Sequence, residues 1–164
     1  ERKNQALMAL SQALKLEREG RAFYLQAAEQ TQDPRGRATF ISLADDERLH
    51  AEMIERQLHV MEGSGRYVLL PDLDAPAIDL NTPLFPRERA AVEDKVGSRP
   101  SELDALHVAL ENEVRSYDLY RHAAQETDDE AGKRMYTWLA AAEMTHFNLL
   151  MANYEAINTL GAWV

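Results

Sequence analysis

The sequence has no cysteine among its 164 residues. Disulfide bonds, thiolate nucleophiles, cysteine-ligated zinc and iron–sulfur clusters are therefore excluded, and any bound metal needs oxygen and nitrogen ligands. Positive charge is scarce, because 18 Lys and Arg residues stand against 28 Asp and Glu. So acidic a chain repels the phosphates of nucleic acids and anionic lipids, and we expect neither partner. No apolar run long enough to span a membrane is present, and we expect a soluble, cytoplasmic protein.

Proline is concentrated in one stretch, since five of the six prolines lie between residues 63 and 100. On either side of it, apolar residues alternate at spacings of three and four, which predicts amphipathic helices. Turn residues divide each side into two helices. We therefore predict a single domain over 1–164 with a helical hairpin at 3–62, a crossover at 63–100 and a second hairpin at 101–160.

Three local features add detail to this outline. Ser101 is the predicted N-cap of the third helix. Within the crossover, only 86–95 has the pattern of a short helix. The segment 66–70 is interpreted either as a short strand or dimer contact, or as an extended strap over the helices.

The chain repeats itself at a shift of 96 residues. Without any gap, residues 7–50 are identical to residues 103–146 at 16 of 44 positions. Two equivalent hairpins joined by a long crossover predict an all-α, antiparallel four-helix bundle with a pseudo-twofold axis.

Polar residues interrupt the apolar faces at repeated positions. Glu17 shares a helix face with Leu10, Leu14 and Tyr24, and its equivalent is Glu113. The second and fourth helices each carry a Glu-x-x-His on the inward side, formed by Glu47 with His50 and by Glu143 with His146. Four buried carboxylates without partners would be strongly disfavoured, whereas two divalent ions would neutralise them. We therefore predict a dinuclear site for iron(II) or manganese(II), with zinc as a substitute.

The sequence resembles the rubrerythrin and ferritin-like superfamily in the segments 13–24, 43–50, 109–120 and 139–146. The resemblance implies a ferritin-like bundle with two iron ions. It also implies that Glu17 and Glu113 are terminal ligands and Glu47 and Glu143 bridging ligands, while His50 and His146 each bind one iron. Tyr24 and Tyr120 resemble the tyrosines that hydrogen-bond the ligating carboxylates in this superfamily. Ordinary bundle packing is the alternative interpretation of both tyrosines.

The function that the resemblance implies is oxidation of a di-iron(II) site by hydrogen peroxide or dioxygen. Rubrerythrins carry a further glutamate one turn after the third-helix ligand, where this sequence has Ser116. Without cysteine, electrons must come from an external donor such as a rubredoxin-type protein, and we expect a homodimer or a larger homo-oligomer. The alternatives are a ferroxidase for iron storage or delivery, a non-catalytic metal-binding bundle and, less favoured, a hydroxylase.

Two further expectations concern residues around the site. Gly20 and Ser116 are equivalent small residues, and we predict that they leave room for the oxidant beside the metals. The polar residues outside the repeat pattern are expected to face solvent, namely Asp45, Asp46, His59, His107 and His122.

Overall fold

The computed structural model describes residues 1–71, 73, 76–85 and 100–164, and these contain four helices and no β-strand. The helices are α1 (Arg2–Gln30), α2 (Pro34–Ser64), α3 (Pro100–Glu126) and α4 (Glu130–Leu160). Because α3 begins at Pro100, Ser101 lies in its first turn and is not the N-cap that we predicted. Proline suits a first turn, where its missing N–H would have no helical partner. The helix predicted at 86–95 lies outside the described residues.

Each hairpin has the same turn chemistry. The side chain of Asp33 accepts hydrogen bonds from the backbone N–H groups of two residues at the start of α2, and Asp129 does the same for α4. At the other ends, Gly65 and Gly161 adopt left-handed conformations, with φ of 71° and 70°. These residues are 96 apart in each case, so the repeat continues to the helix ends.

Two apolar clusters fill the bundle at different heights. The first, here called core A, includes Tyr24, Phe40, Leu106 and Leu150. The second, core B, includes Leu10, Ile54, Tyr120 and Leu139. Helix α1 runs from core B to core A, α2 and α3 run back, and α4 follows the direction of α1. The connection between the parallel helices α2 and α3 must therefore travel the length of the bundle, which explains the long crossover.

The first part of the crossover is an extended strap. The side-chain amide of Gln57 donates to the carbonyl of Val68 at 2.6 Å, and the Val68 N–H donates back to Gln57 Oε1 at 2.9 Å. Leu70 is buried in core B. Farther on, the Tyr117 hydroxyl on α3 donates to the carbonyl of Thr82 at 2.6 Å. The structure thus agrees with the strap interpretation of 66–70, and this segment forms no strand.

Aromatic residues beyond α2 and α4 lie over the start of the other hairpin's second helix. A Cβ atom added to Gly132 would lie 2.7 Å from Tyr67 Cδ2, and one added to Gly36 would lie 2.5 Å from Trp163 Cε2. Both glycines are therefore required by close approach. The carbonyl oxygen of the Asn153 side chain accepts from the Val164 N–H at 2.9 Å, matching Gln57 and Val68. Among the described helices, none is long and apolar enough to cross a bilayer.

Candidate metal centre

A layer of charged side chains separates core A from core B in the middle of the bundle. Each helix contributes to it at the point where its apolar face passes from one core to the other. Six buried residues form this layer, none of them more than 5% exposed, and they are Glu17 on α1, Glu47 and His50 on α2, Glu113 on α3, and Glu143 and His146 on α4. The structure therefore brings together all six predicted ligands.

These side chains form two overlapping groups of four. One contains Glu17 and His50, the other contains Glu113 and His146, and both contain Glu47 and Glu143. Within each group, one donor atom per side chain lies within 4.8 Å of the others. This sharing is the arrangement that two ions bridged by two carboxylates require.

Both imidazoles point the same ring nitrogen at the carboxylates. His50 Nδ1 lies 3.1 Å from Glu143 Oε1 and 3.5 Å from Glu17 Oε1. His146 Nδ1 lies 3.4 Å from one oxygen of Glu47 and 3.4 Å from one oxygen of Glu113. The two rings are nearly parallel, with centroids 5.8 Å apart. Each histidine can therefore donate to an ion held between it and its carboxylates.

The electrostatics of the cluster favour a cation. Among the described residues, no Lys or Arg side chain forms a salt bridge with the four carboxylates. Burial raises the pKa of Glu47 and Glu143 well above the ordinary range, and the negative charge of neighbouring glutamates adds to the effect. Buried donor atoms are left without hydrogen-bond partners on five of the side chains, namely Glu17, Glu47, Glu113, Glu143 and His146. Unpaired buried oxygens and nitrogen fit metal coordination, because hydrogen bonding leaves them unsatisfied.

Two buried tyrosines connect the halves of the cluster. Tyr120 on α3 donates its hydroxyl hydrogen to Glu17 Oε1 on α1 at 2.5 Å. Tyr24 on α1 likewise donates to Glu113 on α3. Neither hydroxyl reaches solvent, so simple packing does not describe these residues. Each tyrosine fixes the carboxylate of the other repeat, and leaves the second oxygen of that carboxylate available for a ligand.

Comparison with known proteins agrees with this geometry. The sequence model of the rubrerythrin family matches residues 9–154. The chain belongs to the rubrerythrin family. A solved structure of a hypothetical protein from Pyrococcus furiosus has the same fold, with a TM-score of 0.67 and 23% sequence identity over 93% of this chain and 89% of that chain. Among curated proteins, no match was found.

In this member of the rubrerythrin family, the two histidines have different partners. His146 Nε2 lies 2.9 Å from Asp46 Oδ2 on α2, so that Asp46 orients the ring with Nδ1 toward the cluster. The expectation that Asp46 is merely solvated was therefore wrong. At the repeat shift of 96 residues, the counterpart of Asp46 is Ala142, which has no carboxylate. His50 instead forms a T-shaped contact with Trp138, with ring centroids 5.6 Å apart.

The sequence gives only a weak signal for Asp46. It precedes Glu47 directly, but it is not part of the repeated pattern, and its contact is with a helix distant in sequence. The histidines that we expected at the surface differ in their exposure. His59 and His122 are exposed, whereas His107 is partly buried and its Nε2 lies 3.0 Å from Glu111 Oε1.

A small cleft opens beside the cluster between α1 and α3. It has a volume of about 80 Å³ and is lined by Gly20, Tyr24, Glu47, Glu113 and Ser116, among others. A Cβ atom at Gly20 would lie 3.4 Å from Glu47 Oε2, which places the glycine directly against a predicted bridging ligand. The two small residues that we predicted to leave space do border this cleft.

Proposed function

We propose that this protein is a di-iron oxidoreductase of the rubrerythrin type, which reduces hydrogen peroxide or dioxygen with electrons from an external donor. The observation that carries the proposal is the pair of four-residue donor groups that share Glu47 and Glu143. Four carboxylates neutralise two divalent ions. Oxygen donors with one imidazole per ion and no thiolate suit iron(II) or manganese(II), with zinc as a substitute.

Each residue has a defined part in this proposal. Glu47 and Glu143, which belong to both donor groups, would hold both ions, Glu17 and Glu113 would each hold one, and His50 and His146 would each offer Nδ1 to one ion. When bound, the pair supplies the electrons that reduce the oxidant. Tyr24 and Tyr120 hold the terminal carboxylates in place during this change of charge.

The cleft beside Glu47 and Glu113 supports a small oxidant as the substrate. Its volume of about 80 Å³ admits molecules of the size of water, peroxide or dioxygen. Organic ligands usually occupy pockets of roughly 300 Å³ or more, so the cleft does not favour a hydroxylase. The glutamate that rubrerythrins carry one turn after Glu113 is replaced by Ser116, and Glu111 is exposed and paired with His107. We therefore propose that this chain keeps its six ligands throughout the reaction.

An external donor completes the cycle. Because the 164 residues contain no cysteine, they hold no rubredoxin-type centre, and we propose a separate rubredoxin-type protein as the electron donor. The cytoplasmic location and the homodimeric or larger assembly stay predictions.

Anaerobic titration with iron(II), followed by peroxide or air, tests the proposed function. We expect two irons per chain and, after oxidation, the absorbance of an oxo-bridged pair that a chemical reductant removes repeatedly. Uptake of many irons per chain would indicate a ferroxidase for storage instead. Two bound ions that neither oxidant changes would indicate a metal that serves stability alone. Each of these last two results would overturn the proposal.

A further inference from the structure

Two aromatic triads extend from the metal centre at equivalent positions of the repeat. One consists of Tyr120, Tyr136 and Tyr67. The other consists of Tyr24, Phe40 and Trp163, and each of its members is 96 residues from its counterpart. The duplicated fold thus provides two paths of the same geometry and different chemistry.

The first triad, here called the tyrosine path, is continuous from the centre to the surface. Tyr120 begins it with its hydrogen bond to Glu17. The rings of Tyr120 and Tyr136 are stacked with centroids 6.3 Å apart, and both side chains are buried. The Tyr136 ring lies 5.7 Å from that of Tyr67, and the two hydroxyl oxygens are 2.8 Å apart. Tyr67 lies on the strap and is partly exposed.

The second triad is interrupted. Tyr24 and Phe40 are stacked at 6.1 Å, and Phe40 meets Trp163 edge-on at 5.4 Å. Phenylalanine has no hydroxyl, and its ring is far harder to oxidise than that of tyrosine. Trp163 is 1% exposed and donates its indole N–H to Glu102 Oε2 at 3.1 Å. This path therefore has a redox-inert middle member and ends inside the protein.

We propose that the tyrosine path carries single electrons from the surface to the metal centre when the centre holds too few to reduce peroxide. The inference rests on the proposed function. Peroxide takes two electrons and two protons to form two waters. A centre with one iron(II) gives one electron, and Tyr120 gives the second.

The oxidised tyrosine is then reduced again by electron transfer from one tyrosine of the path to the next. Tyr120 gives up its phenolic proton along the hydrogen bond to Glu17 as its electron leaves. Tyr136 next reduces the Tyr120 radical, and Tyr67 reduces the Tyr136 radical. The proton of Tyr120 returns from Glu17 when the electron arrives from Tyr136. The proton of Tyr136 shifts along the hydroxyl–hydroxyl contact as its electron leaves and returns along it when Tyr67 reduces the Tyr136 radical. The proton of Tyr67 passes to water at the partly exposed surface, and water supplies the two protons that peroxide takes. An external one-electron reductant, such as ascorbate, finally reduces Tyr67, which takes back a proton from water.

Electron paramagnetic resonance of freeze-quenched samples tests this inference. Protein with one equivalent of iron(II) per chain, then filled with redox-inert zinc(II), is mixed with peroxide. We expect the spectrum of a tyrosyl radical that ascorbate removes. This spectrum should change in the Tyr67→Phe variant. In protein with two equivalents of iron(II), the iron supplies both electrons, and we expect that no radical forms. Tyr136→Phe keeps the buried ring but interrupts the path, so the radical should stay on Tyr120 and resist ascorbate.

Phe40→Tyr is the reciprocal variant, and we expect it to add a radical on the second triad. Metal analysis and circular dichroism establish that each variant still binds two ions and is folded. Failure of the native protein to bind iron would overturn the proposed function and this inference with it. Normal binding and oxidation without a radical, or a radical in Tyr136→Phe that ascorbate removes as in the native protein, would overturn this inference alone.

Discussion

The two halves of the candidate metal centre have the same ligands in different surroundings. Glu17, Glu47 and His50 repeat as Glu113, Glu143 and His146. Of the two histidines, however, His146 has Asp46 as its hydrogen-bond partner and His50 has the ring of Trp138 as its neighbour. The proposed pair of ions would use the full donor set, and this set is the same in both halves. The residues that orient or enclose the ligands differ between the halves. We therefore expect the two ions to differ in affinity.

The largest effect should follow from removing a ligand that belongs to both halves. Glu143→Ala leaves each donor group with three members, and we expect the chain to lose both ions. Saturating metal stabilises a folded protein by about 4 kcal/mol at a concentration of 1,000 Kd, so this variant should lack most of the rise in melting temperature that iron(II) produces. Metal analysis and thermal unfolding with and without iron(II) measure both effects. Glu113→Ala is the comparison, because it removes a member of one group only, and we expect one ion to remain. An equal loss in both variants would contradict the bridging assignment.

A smaller, one-sided effect should follow from Asp46→Ala. His146 then loses the hydrogen bond that orients its ring, and such changes lower metal affinity by roughly 10- to 100-fold. Stepwise titration by calorimetry should show one weakened site and one unchanged site. Asp45→Ala is a matched control, because Asp45 is exposed and pairs with Arg48 on the same helix. If both sites weakened equally in Asp46→Ala, the two halves would be coupled more strongly than their different surroundings imply.

The small cleft beside the cluster can be narrowed by a substitution in the first half of the repeat alone. Gly20→Leu places a side chain against Glu47 in the cleft, whereas Gly63→Leu adds the same group where a Cβ meets no atom within 4 Å. We expect Gly20→Leu to bind two ions and to react with peroxide about tenfold more slowly, which corresponds to a barrier raised by about 1.4 kcal/mol. Stopped-flow absorbance of the iron(II)-loaded variants measures the rate. An unchanged rate in Gly20→Leu would show that the oxidant enters elsewhere.

The bundle and its candidate ligands were predictable from the repeat in the sequence, whereas the contact of Asp46, which the repeat does not include, was not. All six candidate ligands follow from inward helix positions that occur twice, and the same duplication indicates the bundle. The sequence predicts that Asp46 faces solvent, because the acidic pair Asp45-Asp46 is typical of a solvated helix face. Its role depends on the distance between α2 and α4, which only the folded chain defines.

The segments beyond the ends of α2 and α4 also show which contacts the sequence does not predict. The repeat extends to Gly65 with Gly161 and to Val68 with Val164, and these identities are visible at the same shift of 96 residues. The aromatic residues between them, Tyr67 and Trp163, are not identical, so their shared place over a glycine emerges from packing. These contacts join residues that are 65 positions apart for Tyr67 and Gly132, and 127 positions apart for Gly36 and Trp163. Local patterns carry no information about them.

The smallest expected difference is in unfolding free energy, between alanine variants of Gly36 and Gly132, the glycines that face Trp163 and Tyr67. Alanine at either position gains about 1 kcal/mol of helix propensity over glycine, but its methyl group meets the aromatic ring. Trp163 is buried in core A and cannot move freely, so we expect Gly36→Ala to lose about 2 kcal/mol of unfolding free energy to overpacking. Tyr67 is partly exposed and can shift outward, so Gly132→Ala should lose about 1 kcal/mol less. Urea unfolding of the metal-free variants measures both values. A larger loss in Gly132→Ala would mean that the strap holds Tyr67 more firmly than the C-terminal segment holds Trp163. The tyrosine path would then have a fixed outer end. If the ring of Tyr67 supplies that rigidity, and not its hydroxyl contact with Tyr136, the strap of the Tyr67→Phe variant should pack on the bundle as tightly as that of the native protein.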